Sequence, residues 1–265
     1  MSSVYLKEQK KKKEMEMNMA NAYTNLNEVL IQDEHEYESQ VDNSVHTDEV
    51  EVCFKNIEGK IIEKIKKAKV VLGCVAWLTN KRILKELEKK DFVLIIVQEE
   101  DFLRPDTSFT GNKEEWRDQI KLLYDALAGD AATEGMNFKL GISYSGSWDT
   151  GIRRCGWQNK NKESAFPRMH NKFLLCFDQC YGVDEDGAYI IPEYGNKIGK
   201  DGCVITGSYN YTENSNNSLE NIVCIKNEEV LNAYVEEFKQ ITVMSMPLNW
   251  NTEWTPNNNE LRYGT

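Results

Sequence analysis

Residues 70–78, Val70-Val71-Leu72-Gly73-Cys74-Val75-Ala76-Trp77-Leu78, form an unbroken apolar run of strand length. A strand that buries one face alternates apolar with polar residues, whereas a strand that is apolar throughout is covered on both faces by helices. The flanking sequence agrees with the second case. Before the run, residues 57–69 (IEGKIIEKIKKAK) bring Ile57, Ile61, Ile62, Ile65 and Ala68 to one side of a helix. After it, a helix is expected over 81–89 and another apolar strand over 92–97. The fold class implied is α/β: a mixed β-sheet flanked by helices on both faces.

The same alternation continues in both directions. A strand is expected at 50–54, a helix at 114–128, strands at 136–144, 172–177, 203–207 and 222–225, and a last helix at 228–241. Residues 1–48 read as an extension outside this domain. They contain a candidate helix over 7–31, with Met15, Met19, Tyr23, Leu26 and Leu30 near one face, and then an acidic linker. Residues 33–51 hold eight acids, Glu51 among them, and no Lys or Arg, the composition of a solvated segment. The folded domain is placed at 49–245, and 246–265, rich in asparagine, is read as an irregular tail.

Over 265 residues the net charge is −11, which argues against a polyanionic partner until it is divided along the chain. Residues 1–50 carry −6 and residues 151–172 carry +5. No apolar run approaches the ~20 residues needed to span a bilayer, so a transmembrane segment is not expected. Seven cysteines, an odd number scattered through apolar segments, read as reduced core thiols, and the expected location is cytoplasmic. Cys176 and Cys180 lack the second close pair that a zinc site requires.

Of three histidines, His35 and His46 fall in the acidic segment, and His170 opens an apolar strand in Arg168-Met169-His170-Asn171-Lys172-Phe173. Alternation puts His170 and Lys172 on one side. An imidazole beside a fixed cation suits phosphate chemistry: one attacks or carries a proton, the other holds phosphoryl oxygens. Farther on, the strand at 203–207 runs into Gly207-Ser208-Tyr209-Asn210, and Glu220-Asn221 opens the strand after it. Ser208 and Asn210 offer hydrogen-bond donors and Glu220 a carboxylate.

His170-x-Lys172, Asp178, Gly207-Ser208-x-Asn210 and Glu220-Asn221, in that order, resemble the signature of the phospholipase D superfamily, in its form with a single H-x-K motif. The resemblance spans about residues 50–241. Two departures stand out: five residues separate Lys172 from Asp178 where the family has four, and a long link, residues 179–206, precedes Gly207. The resemblance implies a phosphodiesterase working through a phosphohistidine, with no metal or other cofactor. It further implies a homodimer, because the reaction uses two histidines and each chain supplies one. His170, Lys172, Ser208, Asn210, Glu220 and Asp178 are the implied catalytic group.

The strip leading into His170 adds a substrate expectation. Arg153, Arg154, Lys160, Lys162 and Arg168, interleaved with Trp157 and Phe166, combine cations for phosphates with rings for bases. Nucleic acid is therefore the expected substrate, with Arg153, Arg154, Trp157, Lys160, Arg168 and Gly207 as its expected ligands. A phospholipid substrate, or a protein that binds nucleic acid without cutting it, is the alternative.

Overall fold

The computed structural model describes residues 24–32, 37–100, 103, 111–127, 151–156, 168–177 and 202–248, with residues 7, 9–13 and 16. The expected strand at 136–144 lies outside the described residues. A short hairpin of β1 (Ile31–Gln32) and β2 (Tyr37–Glu38) precedes the main sheet. Where a helix was expected through residue 31, the chain instead makes a 3-10 turn at Leu26–Glu28, capped by the Asn25 side chain, and enters β1.

Nine strands form the main sheet: β3 (Val45–His46), β4 (Val50–Cys53), β5 (Val70–Val75), β6 (Phe92–Gln98), β7 (Ile152–Cys155), β8 (Lys172–Phe177), β9 (Gly202–Gly207), β10 (Ile222–Ile225) and β11 (Met246–Pro247). Their order across the sheet is β11-β7-β6-β5-β8-β9-β10-β4-β3. The β5–β6 and β6–β7 pairs are parallel and every other pair is antiparallel, so the sheet is mixed.

The apolar run behaves as its composition requires. Val70, Leu72 and Cys74 face one side with Phe92, Leu94 and Ile96 of β6, and Val71 and Val75 face the other with Val93, Ile95 and Val97. The first side is covered by α4 (Glu228–Met244) through Leu231, Val235, Phe238 and Ile241. The second is covered by α1 (Ile57–Lys67), α2 (Lys81–Leu87) and α3 (Asn112–Asp125). Burial of Ile57, Ile61 and Ile65 on α1 follows the helical period. Asn80 starts α2 by accepting from the Arg82 and Ile83 amides, and Asn227 starts α4 by accepting from Val230.

Three expectations change. Glu51 is not a solvated linker acid: it is buried on β4 and paired with Lys60 and Lys64 of α1, each at 2.8 Å. The basic strip, expected to meet substrate, begins inside the sheet, because β7 occupies Ile152–Cys155 as an inner strand. At its two ends the sheet takes in Val45–His46, from the segment read as an extension, and Met246–Pro247, from the segment read as an irregular tail. Of the described cysteines, Cys53, Cys74, Cys176, Cys203 and Cys224 are buried, and Cys155 is half-buried.

Candidate active site

Strand direction gathers the chemistry at one edge. β4, β5, β6, β7 and β9 run the same way, and β8 and β10 run against them. The residues that follow β5, β6, β9 and β4 therefore share an edge with those that precede β8 and β10. Trp77, Glu100, Ser208 and Phe54 are in the first set; His170 and Glu220 are in the second.

His170 precedes β8 rather than lying in it, and its neighbours fix it. The Met169 amide donates to Gln98 Oε1 at 2.7 Å, and the Ala76 amide donates to Asn171 O at 2.9 Å. Gln98 is fully buried at the end of β6, and Gly156 makes room for it: a Cβ there would lie 2.3 Å from Gln98 Oε1, and the backbone has φ +99°. Lys172 Nζ donates to the His170 carbonyl at 3.0 Å and stands 3.2 Å from both ring nitrogens. The Trp77 ring meets the imidazole edge to face, with centroids 5.1 Å apart and planes at 79°, and the Trp77 indole N–H donates to Glu100 Oε1 at 2.8 Å. Trp77 is the residue that sequence reasoning missed. Its one signal was an aromatic ring closing an otherwise aliphatic strand.

Desolvation, with the charges of Lys172 and Arg168, holds the His170 imidazole below its usual pKa, so it is neutral over more of the pH range. Desolvation also lowers Lys172, against the pull of Glu220. A neutral imidazole beside a cation is a nucleophile next to a phosphate ligand.

The second group stands one strand over, since β8 and β9 pair through Phe173 and Thr206. Ser208 Oγ donates to Glu220 Oε2 at 2.5 Å and accepts from the Asn221 amide at 3.1 Å, while the Ser208 amide donates to Asn221 O at 3.1 Å. Gly207 permits this closeness: a Cβ on it would lie 2.2 Å from Asn221 O. That contact holds β9 against the chain entering β10 where Ser208 leaves the sheet. Asn210 Oδ1 is buried with no hydrogen-bond partner among the described residues, an acceptor still open to a donor.

Two expected substrate ligands are corrected. Arg153 has no exposed surface; its Nε donates to Ser245 Oγ at 2.7 Å and its Nη2 to Ser245 O at 2.8 Å, tying β7 to the end of α4. Arg154 pairs with Glu99 at 2.6 Å and donates to Pro247 O at 3.1 Å. Their guanidiniums serve the fold, and Glu99 and Glu100 find their use as partners of Arg154 and Trp77. Arg168 is half-buried beside His170. Asp178, Trp157 and Lys160 lie outside the described residues.

A family profile described as "Cardiolipin synthase, PLD-like domain" matches residues 118–242, which include His170, Lys172, Ser208, Asn210 and Glu220. A mimivirus protein of Acanthamoeba polyphaga mimivirus, "Uncharacterized protein L381", is 32% identical over 241 residues, covering 86% of this chain and 75% of that one. The chain belongs to the phospholipase D superfamily, and its domain is of the phosphodiesterase type that defines that family. Among solved structures, NucT from Helicobacter pylori is similar at a TM-score of 0.43 and 10% identity, over 75% of this chain and 98% of that one. Nuc from Salmonella typhimurium, a phospholipase D family member, is similar at a TM-score of 0.41 and 16% identity, over 74% and 95%. No helix among the described residues is long and apolar enough to cross a membrane.

Proposed function

We propose that this protein is a nuclease that hydrolyses the phosphodiester bonds of DNA or RNA, as an endonuclease, without a metal ion. The observation that carries the reading is the convergence on one sheet edge of the His170–Lys172 pair and the Ser208–Glu220–Asn221 group. In the proposed reaction an imidazole nitrogen of His170 attacks phosphorus and the P–O bond to the leaving oxygen breaks. The partner subunit's His170 gives that oxygen a proton. Water, deprotonated by the same partner imidazole, then attacks the phosphohistidine and frees His170. Lys172 Nζ and the Asn210 side-chain N–H hold the non-bridging oxygens, the work that a divalent ion does in metal-dependent phosphodiesterases. Glu220 accepts the hydrogen bond of the Ser208 hydroxyl, so the part of this pair is to hold the turn that carries Asn210 in place.

A homodimer about a two-fold axis supplies the second histidine. Buried free thiols suit a reducing compartment such as the cytoplasm. With Arg153 and Arg154 committed to the fold, the nucleic-acid backbone is met by Lys172, Arg168 and the two lysines of 157–167.

The test is incubation of the full chain in EDTA with single-stranded DNA, duplex DNA, RNA and phospholipid vesicles, beside the His170→Ala variant. Cleavage of a nucleic acid in EDTA, lost in His170→Ala, is expected. Cleavage of phospholipid alone, or dependence on added Mg²⁺, would refute the reading, and binding without cleavage by either form would make the protein a nucleic-acid binder.

A further inference from the structure

β6 is apolar from Phe92 to Val97 and then ends on Gln98, a polar side chain with no exposed surface. A buried amide is costly unless its polar atoms find partners. Gln98 Oε1 accepts from the Met169 amide at 2.7 Å, and Gln98 Nε2 donates to Glu99 O at 3.3 Å. Gly156, which follows β7, lies over the first of these bonds. A Cβ there would stand 2.3 Å from Gln98 Oε1 and 2.9 Å from Met169 N, so an alanine forces the two apart.

Two residues beyond Gln98, Glu100 Oε1 accepts the Trp77 indole N–H at 2.8 Å. The Trp77 ring in turn meets the His170 imidazole edge to face, and Lys172 Nζ stands 5.8 Å from the Trp77 ring centroid. Glu99, between the two, pairs instead with Arg154 at 2.6 Å and ties this segment to β7.

His170 needs support of this kind because it is exposed. An exposed side chain changes rotamer freely unless its backbone is held and a packed neighbour limits it. A nucleophile must keep its nitrogen aimed at phosphorus, and a misplacement near 1 Å costs about a hundredfold in rate. On the backbone side, Gln98 holds the Met169 amide before His170, and the Ala76 amide holds Asn171 O after it. On the ring side stands the Trp77 indole, itself held by Glu100.

We propose that Gln98 and Glu100 are positioning residues for the proposed nucleophile: Gln98 sets the place of the His170 backbone, and Glu100, through Trp77, sets the orientation of the imidazole and of Lys172 beside it. The inference rests on the nuclease reading for the reaction it serves. It adds to that reading two residues from the end of β6, a strand that supplies none of the groups that touch phosphate.

The test compares full-length Gln98→Leu, Gly156→Ala, Glu100→Ala and Glu100→Gln with wild type. One readout is the NMR titration of His170, assigned by its absence from His170→Ala, and the other is kcat and KM for an activated phosphodiester in EDTA. Gln98→Leu and Glu100→Ala should each lower kcat about tenfold or more with KM within about twofold. The His170 titration should move up toward its ordinary value as the packing against the ring loosens, while Lys172 and Arg168, which also lower it, stay in place. Gly156→Ala, with Gln98 intact, should behave as Gln98→Leu does. Glu100→Gln keeps an oxygen for the indole and should restore both readouts. If Gln98→Leu does not fold, Glu100→Ala, at a half-buried position, decides. Wild-type titration and kcat in Glu100→Ala, or a Glu100→Gln protein as impaired as Glu100→Ala, overturns the inference. A moved titration in a protein that cleaves no phosphodiester sustains the hold on His170 and overturns the nuclease reading. Cleavage by wild type with an unmoved titration in the variants does the reverse.

Discussion

Substituting Gly207 by alanine should damage stability and catalysis together, because one close contact supports both. A Cβ at residue 207 would lie 2.2 Å from Asn221 O, 2.8 Å from Ile222 Cα and 2.9 Å from Asn221 C. All three are backbone atoms of the strand that pairs with Gly207 through Ile222. Ordinary contact begins near 3.4 Å, so β9 and β10 must part by about an ångström at this point. Overpacking of this kind costs about 1–3 kcal/mol. In a domain of this size that is a fall in Tm of roughly 3–10 °C. The same shift carries Ser208 away from Glu220 and Asn221, and a misplacement near 1 Å costs catalysis about a hundredfold. Gly202→Ala on the same strand is the control: the nearest atoms to its Cβ are Leu231 Cδ2 at 3.1 Å and Cys176 O at 3.2 Å, so its neighbours need give only a few tenths of an ångström. Thermal melts with turnover of an activated phosphodiester would read both effects. A Gly207→Ala protein that melts and turns over like Gly202→Ala would refute the reasoning.

Other outcomes follow from the same structure. Arg153→Met should cost about 2–4 kcal/mol in chemical denaturation, through the lost bonds to Ser245, while the folded fraction keeps its activity per molecule; weakened substrate binding at unchanged stability would restore Arg153 as a ligand. His170 is exposed apart from the packed Trp77 ring, so Trp77→Ala should relieve part of its desolvation: the His170 pKa, read by NMR titration, should rise toward its ordinary value and the acid limb of the pH–rate profile should move to higher pH; an unmoved titration would show that Trp77 does not shield the imidazole. Burial alone would raise Glu51, but the hydrogen bonds from Lys60 and Lys64 outweigh it and hold its pKa at about 2, so its stabilising share is present above its ordinary value and is lost as pH falls from about 4.5 to 2. Glu51→Gln should flatten the stability profile in that window, and an unchanged slope would count against the buried triad.

The layered α/β plan was legible because strands buried on both faces leave an unambiguous apolar signature at 70–78, and α1 keeps a helical period of isoleucines. The candidate site was legible because its spacing is local: His170 and Lys172 are two residues apart, and Ser208 and Asn210 likewise. What sequence could not convey depends on partners distant in the chain. Arg153 looks like a phosphate ligand until Ser245, 92 residues away, is found beside it. Glu51 counts as one more linker acid until α1 folds Lys60 and Lys64 over it. Trp77 becomes part of the site only because β5 and β8 run in opposite directions and bring it to His170. A cavity beside Glu58 is assembled from Asn27, residues 54–59, Arg82 of α2, Tyr209 and residues 215–218, segments with no common motif.

His170 is the proposed nucleophile of a metal-independent phosphodiester cleavage. The most direct measurement is an acid-quenched or alkali-quenched reaction in EDTA with nucleic acid carrying a labelled phosphate, followed by mapping of the labelled peptide. An acid-labile, alkali-stable phosphoryl label on His170 is expected, formed faster than product is released and absent from His170→Ala. Cleavage in EDTA with no covalent label, or with the label on another residue, would contradict it.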